Sequence, residues 1–467
     1  MGYDAAPPAA ATTITLRPLQ LLAPFCLLAL CACRGEDPPP NIILISLDTL
    51  RADHLSCYGY GKDTSPRLDA FAAGATRYTA CRATAPWTVP THASLFTGLH
   101  PFEHGAHSFD ITVLADNVHP LDDAAPTLAQ VLAGGGYRTG AIVANQVYLA
   151  PEFGLDRGFD DYELSRVRAP ELSARAATWI DAGDGPFFLF LNYLDTHRPY
   201  NIAGPDGSED SAPSEHPSVL LDQLHEQVMV EGRAPEAELL AQVIEQYDRS
   251  ISNLDAGLGQ LFTSLADRGL LANSWIIVTS DHGEYFGEHG LVEHSKDVYE
   301  EALAVPLIVR APGQVQGEVV SAPISSVDIP RLILGGALPA HSAHWEVLFP
   351  HALGNHDVLA QNYFSRPIDL LHPTIGPRLR RVRTVLYGDG YKFIHSSDGL
   401  HELFDLGADP RESNNLYGQD AERDAELRGE VQALLAGPRA HAPSNAEPRE
   451  LDPERLEAMR ALGYLEF

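Results

Sequence analysis

Apolar runs of strand length alternate along the chain with stretches of helical periodicity. The runs are NIILISLD, TGAIVAN, PFFLFLNYL, SWIIVTSD and VPLIVRAP. Short continuous apolar runs fit strands buried on both faces, and strands separated by helices build a parallel or mixed sheet covered on both sides. A long helical pattern runs from Pro235 to Leu265. Beyond about Ser342 the pattern changes, and VLAQNYF, RRVRTVLYGDGYKFIH and HELFDL read as a small antiparallel sheet with YGDGY as a hairpin turn. DPERLEAMRALGY reads as a closing helix, and no internal repeat recurs. The predicted fold class is therefore α/β: a large doubly wound domain over 41–342, followed by a smaller C-terminal α+β subdomain over 343–467 with an antiparallel sheet.

The first four runs end in chemically capable residues: Asp48, Asn145, Asp195 with His197, and Asp281 with His282. Ligands of open α/β sheets sit beyond the carboxyl ends of the strands, so these ends are expected to converge on one crevice. Between the third and fourth runs, the acidic, proline-rich PDGSEDSAPSEHP reads as a surface insertion. Asp48, Asp281 and His282, with a hydroxyl at a helix start, are the parts needed to hold one divalent ion and deliver a nucleophile to a tetrahedral anion. APWTVPTHASLFTGLHP supplies such a hydroxyl in Thr88. Local physics also allows Thr88 to be an N-cap, with Gly98 as the C-terminal stop, and allows Asp281 in SDHGE to be a turn residue.

Composition narrows the class. At 467 residues, with 45 % hydrophobic and 20 % charged residues, the chain is a foldable, enzyme-sized protein with more than one hydrophobic core. A formal charge of −31 argues against a nucleic-acid partner. An anionic ligand then requires a local positive field from a metal ion, a helix N-terminus or a few placed cations. The N-terminal LQLLAPFCLLALCAC is short for a membrane span and reads as a signal-peptide core within residues 1–32. Leu30-Cys31-Ala32-Cys33 resembles a bacterial lipobox, which makes Cys33 the lipidated first residue of the mature chain and residues 33–40 a stiff tether. An ordinary cleaved signal is the alternative; both export the protein, to the periplasm or, as a lipoprotein, to the cell surface. Of the remaining cysteines, Cys57 and Cys81 read as half-buried thiols, though export permits a disulfide; neither has the spacing of a thiolate zinc site.

Six ordered blocks carry a family resemblance: NIILISLDTLRADHLSCYGYGKDTSPRLDAFA, PWTVPTHASLFTGLHPFEHG, GYRTGAIVAN, TSDHGEYFGEHG, EHSKDVYEEALAVPLIVRAPG and YKFIHSSDGLHELFDLGADPRESNNL. Together they resemble the sulfatase branch of the alkaline phosphatase superfamily, over nearly everything after residue 40. The resemblance implies a metal site of Asp48, Asp281 and His282, with Thr88 where sulfatases place the Cys or Ser that becomes formylglycine at the head of a CxPSR signature. Here that signature reads Thr88-Val89-Pro90-Thr91-His92. A threonine is not expected to mature to formylglycine, so direct attack by a metal-bound Thr88 alkoxide replaces the hydrated-aldehyde route. The usual Asp-Asp pair is Asp48-Thr49, and the GKWH block is Val143-Ala144-Asn145-Gln146, without its two cationic contacts. His197 resembles the histidine that meets the ester oxygen, Lys296 the lysine that grips the anion, and His92 replaces the signature arginine. Glu288, His289 and His294 stand in the same loop as supporting groups, with no second metal expected from them. The function implied is hydrolysis of a sulfate or phosphate ester on a small molecule or glycan, with one calcium, zinc or manganese ion. Transfer to an alcohol acceptor and weak binding of sulfated glycans are the alternatives.

Overall fold

The computed structural model describes residues 38–108, 118–200, 217–337, 358–363 and 367–437. The signal sequence, Cys33, residues 205–216 of the acidic loop and the expected closing helix lie outside them.

Eight strands form the main sheet: β1 (Asn41–Leu47), β2 (Thr76–Tyr78), β3 (Arg138–Val143), β4 (Asp161–Leu164), β5 (Phe187–Tyr193), β6 (Ser274–Thr279), β7 (Leu307–Arg310) and β8 (Glu318–Val320). Their order is β8-β2-β7-β6-β1-β5-β3-β4. The run from β6 to β4 is parallel, while β7 lies antiparallel to both β6 and β2. Strands β1 and β5 are buried along their whole length, as their predominantly apolar runs require. Parallel neighbours end at one edge, so β6, β1, β5 and β3 deliver their following residues side by side.

Of the helices, α1 (Thr88–Thr97), α2 (Ala169–Asp181) and α3 (Ala237–Asp267) matter most here. The long periodic pattern became α3, whose apolar face includes Val243, Ile251, Leu254, Leu258 and Leu261. Helix α1 is buried on every side. Packing holds it, not propensity.

A second, four-stranded antiparallel sheet runs in order through β9 (Val358–Asn362), β10 (Arg383–Gly388), β11 (Tyr391–Ser396) and β12 (Glu402–Asp405). YGDGY is its hairpin: Asp389 and Gly390 take φ of 49° and 83°, the positive pair that a two-residue hairpin loop needs. This sheet shares the main core, since Ala360, Val385, Ile394 and Phe404 belong to the same apolar cluster as β1. Buried ion pairs add to the contact: Lys392 Nζ lies 2.7 Å from Glu412 and 3.1 Å from Glu300, and Arg383 lies 2.7 Å from Glu402 and 3.3 Å from Asp297. Cys57 and Cys81 are free thiols, with no disulfide between them; burial pushes each up to about 12.

Candidate active site

The strand ends converge. Asp48 follows β1 and Asp281-His282 follow β6, the strand hydrogen-bonded beside it. All three side chains are fully buried, and one ligand atom from each falls within 4.8 Å of the others.

Each ligand has one atom engaged and one held ready. Asp48 Oδ2 accepts from Asn145 Nδ2 at 2.9 Å, while Asp48 Oδ1 has no partner. Asp281 Oδ1 accepts the backbone N–H groups of Thr49 at 3.2 Å and His282 at 2.9 Å, while Asp281 Oδ2 has no geometrically sound hydrogen bond. His282 Nδ1 donates to the carbonyl of Gly283 at 3.0 Å, which leaves the lone pair on Nε2, also without a partner. Three buried, unsatisfied acceptor atoms facing one another would be costly in an empty protein, and a divalent cation answers that cost. Electrostatics say the same. Burial and the neighbouring Asp281 push the Asp48 carboxyl up to about 8, and burial pushes Asp281 up to about 7. Burial holds His282 below its ordinary value, in the neutral form that ligates metal.

The loop carrying these ligands needs a glycine. Gly283 N donates to Ala302 O at 2.8 Å, and a Cβ on Gly283 would stand 2.0 Å from the carbonyl oxygen of Glu301. Arg51 closes the loop from the other side, bonding the Glu284 carbonyl at 2.9 Å and pairing with Glu288 at 2.8 Å.

Thr88 is not the N-cap. The cap is Trp87, in extended conformation and without a side-chain cap bond, and Thr88 is the first helical residue. Thr91 takes over the bracing, its hydroxyl donating to the carbonyls of Ala85 and Trp87. Pro90 fits because the first helical turn needs no N–H there. Gly98 stops the helix at φ 63°, as expected. Freed from capping, the buried Thr88 side chain is near enough to Asp281 to favour its ionised form, and so lies beside the ligand group at a helix N-terminus.

His92 departs from expectation. It does not offer a charge in place of the arginine: burial pulls it down to about 3, Nδ1 donates to the Thr88 carbonyl at 2.9 Å, and Nε2 meets Ser46 Oγ at 2.9 Å. It ties the start of α1 to the end of β1. His197 is also buried and pulled down to about 3; its Nδ1 donates to Arg198 O at 2.6 Å, which places the lone pair on Nε2. Its ring lies 5.0 Å from that of His294, which lies 4.6 Å from that of His282. Thus His294, held by Glu284 at 3.2 Å, is the one of the three supporting loop groups that reaches the ligands. Glu288 is spent on Arg51. His289 stacks on Tyr299 and joins Glu301 and Glu412, a separate group whose Glu412 already faces the Lys392 ammonium at 2.7 Å.

Lys296 is fully buried, 2.5 Å from Asp369 and 3.6 Å from Glu293. It is neither solvated nor an uncompensated cation. Asp195 accepts the N–H of Ala169 at the start of α2. Asn145, Ser46 and Thr49 do work that sequence reasoning did not assign. Polar Ser46 inside an otherwise apolar buried strand was the available signal.

Residues 40–337 match the family model described as Sulfatase. The chain belongs to the sulfatase family. Human arylsulfatase A is 28 % identical over 450 residues, covering 84 % of this chain and 86 % of that protein. Among solved structures, the phosphonate monoester hydrolase of Agrobacterium radiobacter superposes with a TM-score of 0.62 at 20 % identity, covering 85 % of this sulfatase and 95 % of that chain. A structure in complex with its substrate D-glucosamine-2-N,6-O-disulfate gives the same TM-score at 21 % identity, covering 85 % and 97 %. The protein's class is that of the sulfuric ester hydrolases, and its large mixed sheet with a separate small antiparallel sheet is the fold of those neighbours.

Proposed function

We propose that this sulfatase-family protein is an exported, metal-dependent hydrolase that cleaves a sulfate or phosphate ester through a covalent intermediate on Thr88. The observation that carries this reading is the cluster of buried, unsatisfied ligand atoms of Asp48, Asp281 and His282, with the buried Thr88 side chain at the start of α1 beside Asp281. Asp48, Asp281 and His282 would hold a divalent ion, which would supply Lewis-acid chemistry beside the Thr88 hydroxyl. Thr88 gives up its proton, its oxygen bonds to sulfur or phosphorus, and the bond to the departing alcohol breaks. The alcohol leaves with the equivalent of that proton. Water then attacks the same centre and releases Thr88. His197, whose Nδ1 donates to the Arg198 carbonyl, would pass a proton from the attacking water through Nε2 to the departing Thr88 oxygen.

Glycan relatives support a sugar ester as substrate, among them the N-acetylglucosamine-6-O-sulfatase of Bacteroides thetaiotaomicron, 22 % identical over 86 % of this chain. Lipidation of Cys33 would hold the enzyme at a membrane surface; among the described residues no helix is long and apolar enough to cross one.

Thr88→Ala, with aryl sulfate, phosphate monoester and phosphate diester substrates, tests the mechanism. Turnover is expected to vanish while the fold survives, and intact-mass analysis of the wild type is expected to show an unmodified threonine. Substantial activity in Thr88→Ala refutes the covalent route.

A further inference from the structure

Thr49 stands where the family resemblance places a second metal carboxylate, and its side chain is used differently. Its φ is 60°, a left-handed conformation that a β-branched residue enters only under constraint. The constraint is visible. Thr49 Oγ1 donates to the Thr196 carbonyl at 2.6 Å, Tyr247 donates to the Thr49 carbonyl at 2.7 Å, and Thr196 Oγ1 donates back to the Asp48 carbonyl at 2.6 Å. All four residues are buried. What this backbone delivers is an N–H aimed at Asp281 Oδ1, 3.2 Å away. Together with the N–H of His282 at 2.9 Å it saturates that oxygen, so Oδ2 is the atom turned toward Asp48 and His282.

We infer that Thr49 is a positioning residue of the metal site: its anchor to Thr196 holds a strained backbone whose N–H orients the Asp281 carboxylate toward the divalent ion. The inference rests on the metal site of the proposed function. Where the family resemblance supplies another carboxylate, this chain supplies a donor that aims an existing one. The ion is then held by three protein side chains, Asp48, Asp281 and His282, with the Thr88 hydroxyl beside them. Groups that orient metal ligands typically change affinity by about 10- to 100-fold when removed.

The test uses full-length protein and manganese as the probe. Thr49→Gly adopts the left-handed backbone without penalty but lacks the anchor, and Thr49→Ser keeps it. Equilibrium dialysis with Mn2+ is run beside urea unfolding of the metal-free proteins. Thr49→Gly is expected to fold and to bind Mn2+ roughly tenfold more weakly, and Thr49→Ser to return the affinity to within about twofold of wild type. Thr49→Ala lacks the same anchor, carries the same expectation, and decides the matter if the glycine variant does not fold. A threonine that only braces the loop would shift the unfolding midpoint and leave Mn2+ affinity alone. Wild-type affinity in an anchorless variant therefore overturns the assignment. Asp48→Asn is the control for the site itself: if that variant still binds Mn2+ normally, the metal site fails, whatever Thr49 does.

Discussion

Removing the divalent ion should set the buried carboxylates against the fold, in a pH window that the structure specifies. Without a cation, Asp48 is pushed from 3.8 up to about 8 and Asp281 from 3.8 up to about 7. In the unfolded chain both return to the ordinary carboxylate range. Between those values the folded state binds more protons than the unfolded one, so stability falls as pH rises through the folded pKa values. The buried histidines act in the opposite sense: His92 and His197, pulled from 6.5 down to about 3, make stability rise with pH, but that rise is largely complete near 6.5. Above it the carboxylates dominate the difference between metal-free and metal-loaded protein. One excess proton changes stability by about 1.4 kcal/mol per pH unit, so the two carboxylates together should cost the metal-free form about 2 kcal/mol between roughly pH 6.5 and 8. Urea unfolding of dialysed and metal-loaded protein at the two ends of that window measures this directly. The metal-loaded form, whose carboxylates stay ionised, should lack this loss, and Asp48→Asn should flatten the metal-free curve. Parallel pH dependences with and without metal would refute the shared site.

Two further outcomes follow from other residues. Lys296→Ala should destabilise the protein by about 3 to 5 kcal/mol, because it removes the ammonium 2.5 Å from the buried Asp369 carboxylate, while Glu293 keeps Arg198; a loss under about 1 kcal/mol in urea unfolding would show that the pair does not hold in solution. Cys33→Ser should release a soluble exported enzyme from the membrane fraction, and a variant that stays membrane-bound would remove Cys33 as the anchor.

What could be read from the chain was what depends on local pattern. Buried strands announce themselves as predominantly apolar runs, and polar residues just past their ends, such as Asp48 and Asp281, lie at one sheet edge once the strands are parallel. Asp389-Gly390 announces its hairpin through backbone chemistry alone. The residues that resisted reading depend on partners far away in sequence. Lys296 looks solvated or anion-binding until Asp369, 73 residues on, is seen beside it. His92 looks like a replacement cation until burial and the Ser46 hydroxyl fix it as a neutral strut. Thr88 looks like a cap because capping preferences describe residue types. Here the extended backbone of Trp87 moves the helix start by one residue.

These departures bear on how a protein with a formal charge of −31 handles an anionic ester. The cations that the family resemblance would bring to the substrate are absent or engaged among the described residues: Ala144 and Gln146 replace two of them, His92 is neutral, and Lys296 is paired with Asp369. His197 and His282 are neutral as well. Attraction must then come from the divalent ion and from the N-terminus of α1, both short-ranged and both at the reacting centre. Two ligand carboxylates already balance the charge of one divalent ion, so the net field felt at a distance remains that of the acidic surface. On the proposed mechanism capture is therefore local, and the organic half of the ester is expected to supply much of the binding energy. On the proposed mechanism stabilisation is concentrated at the Thr88 oxygen, which favours the transition state over the bound ground state.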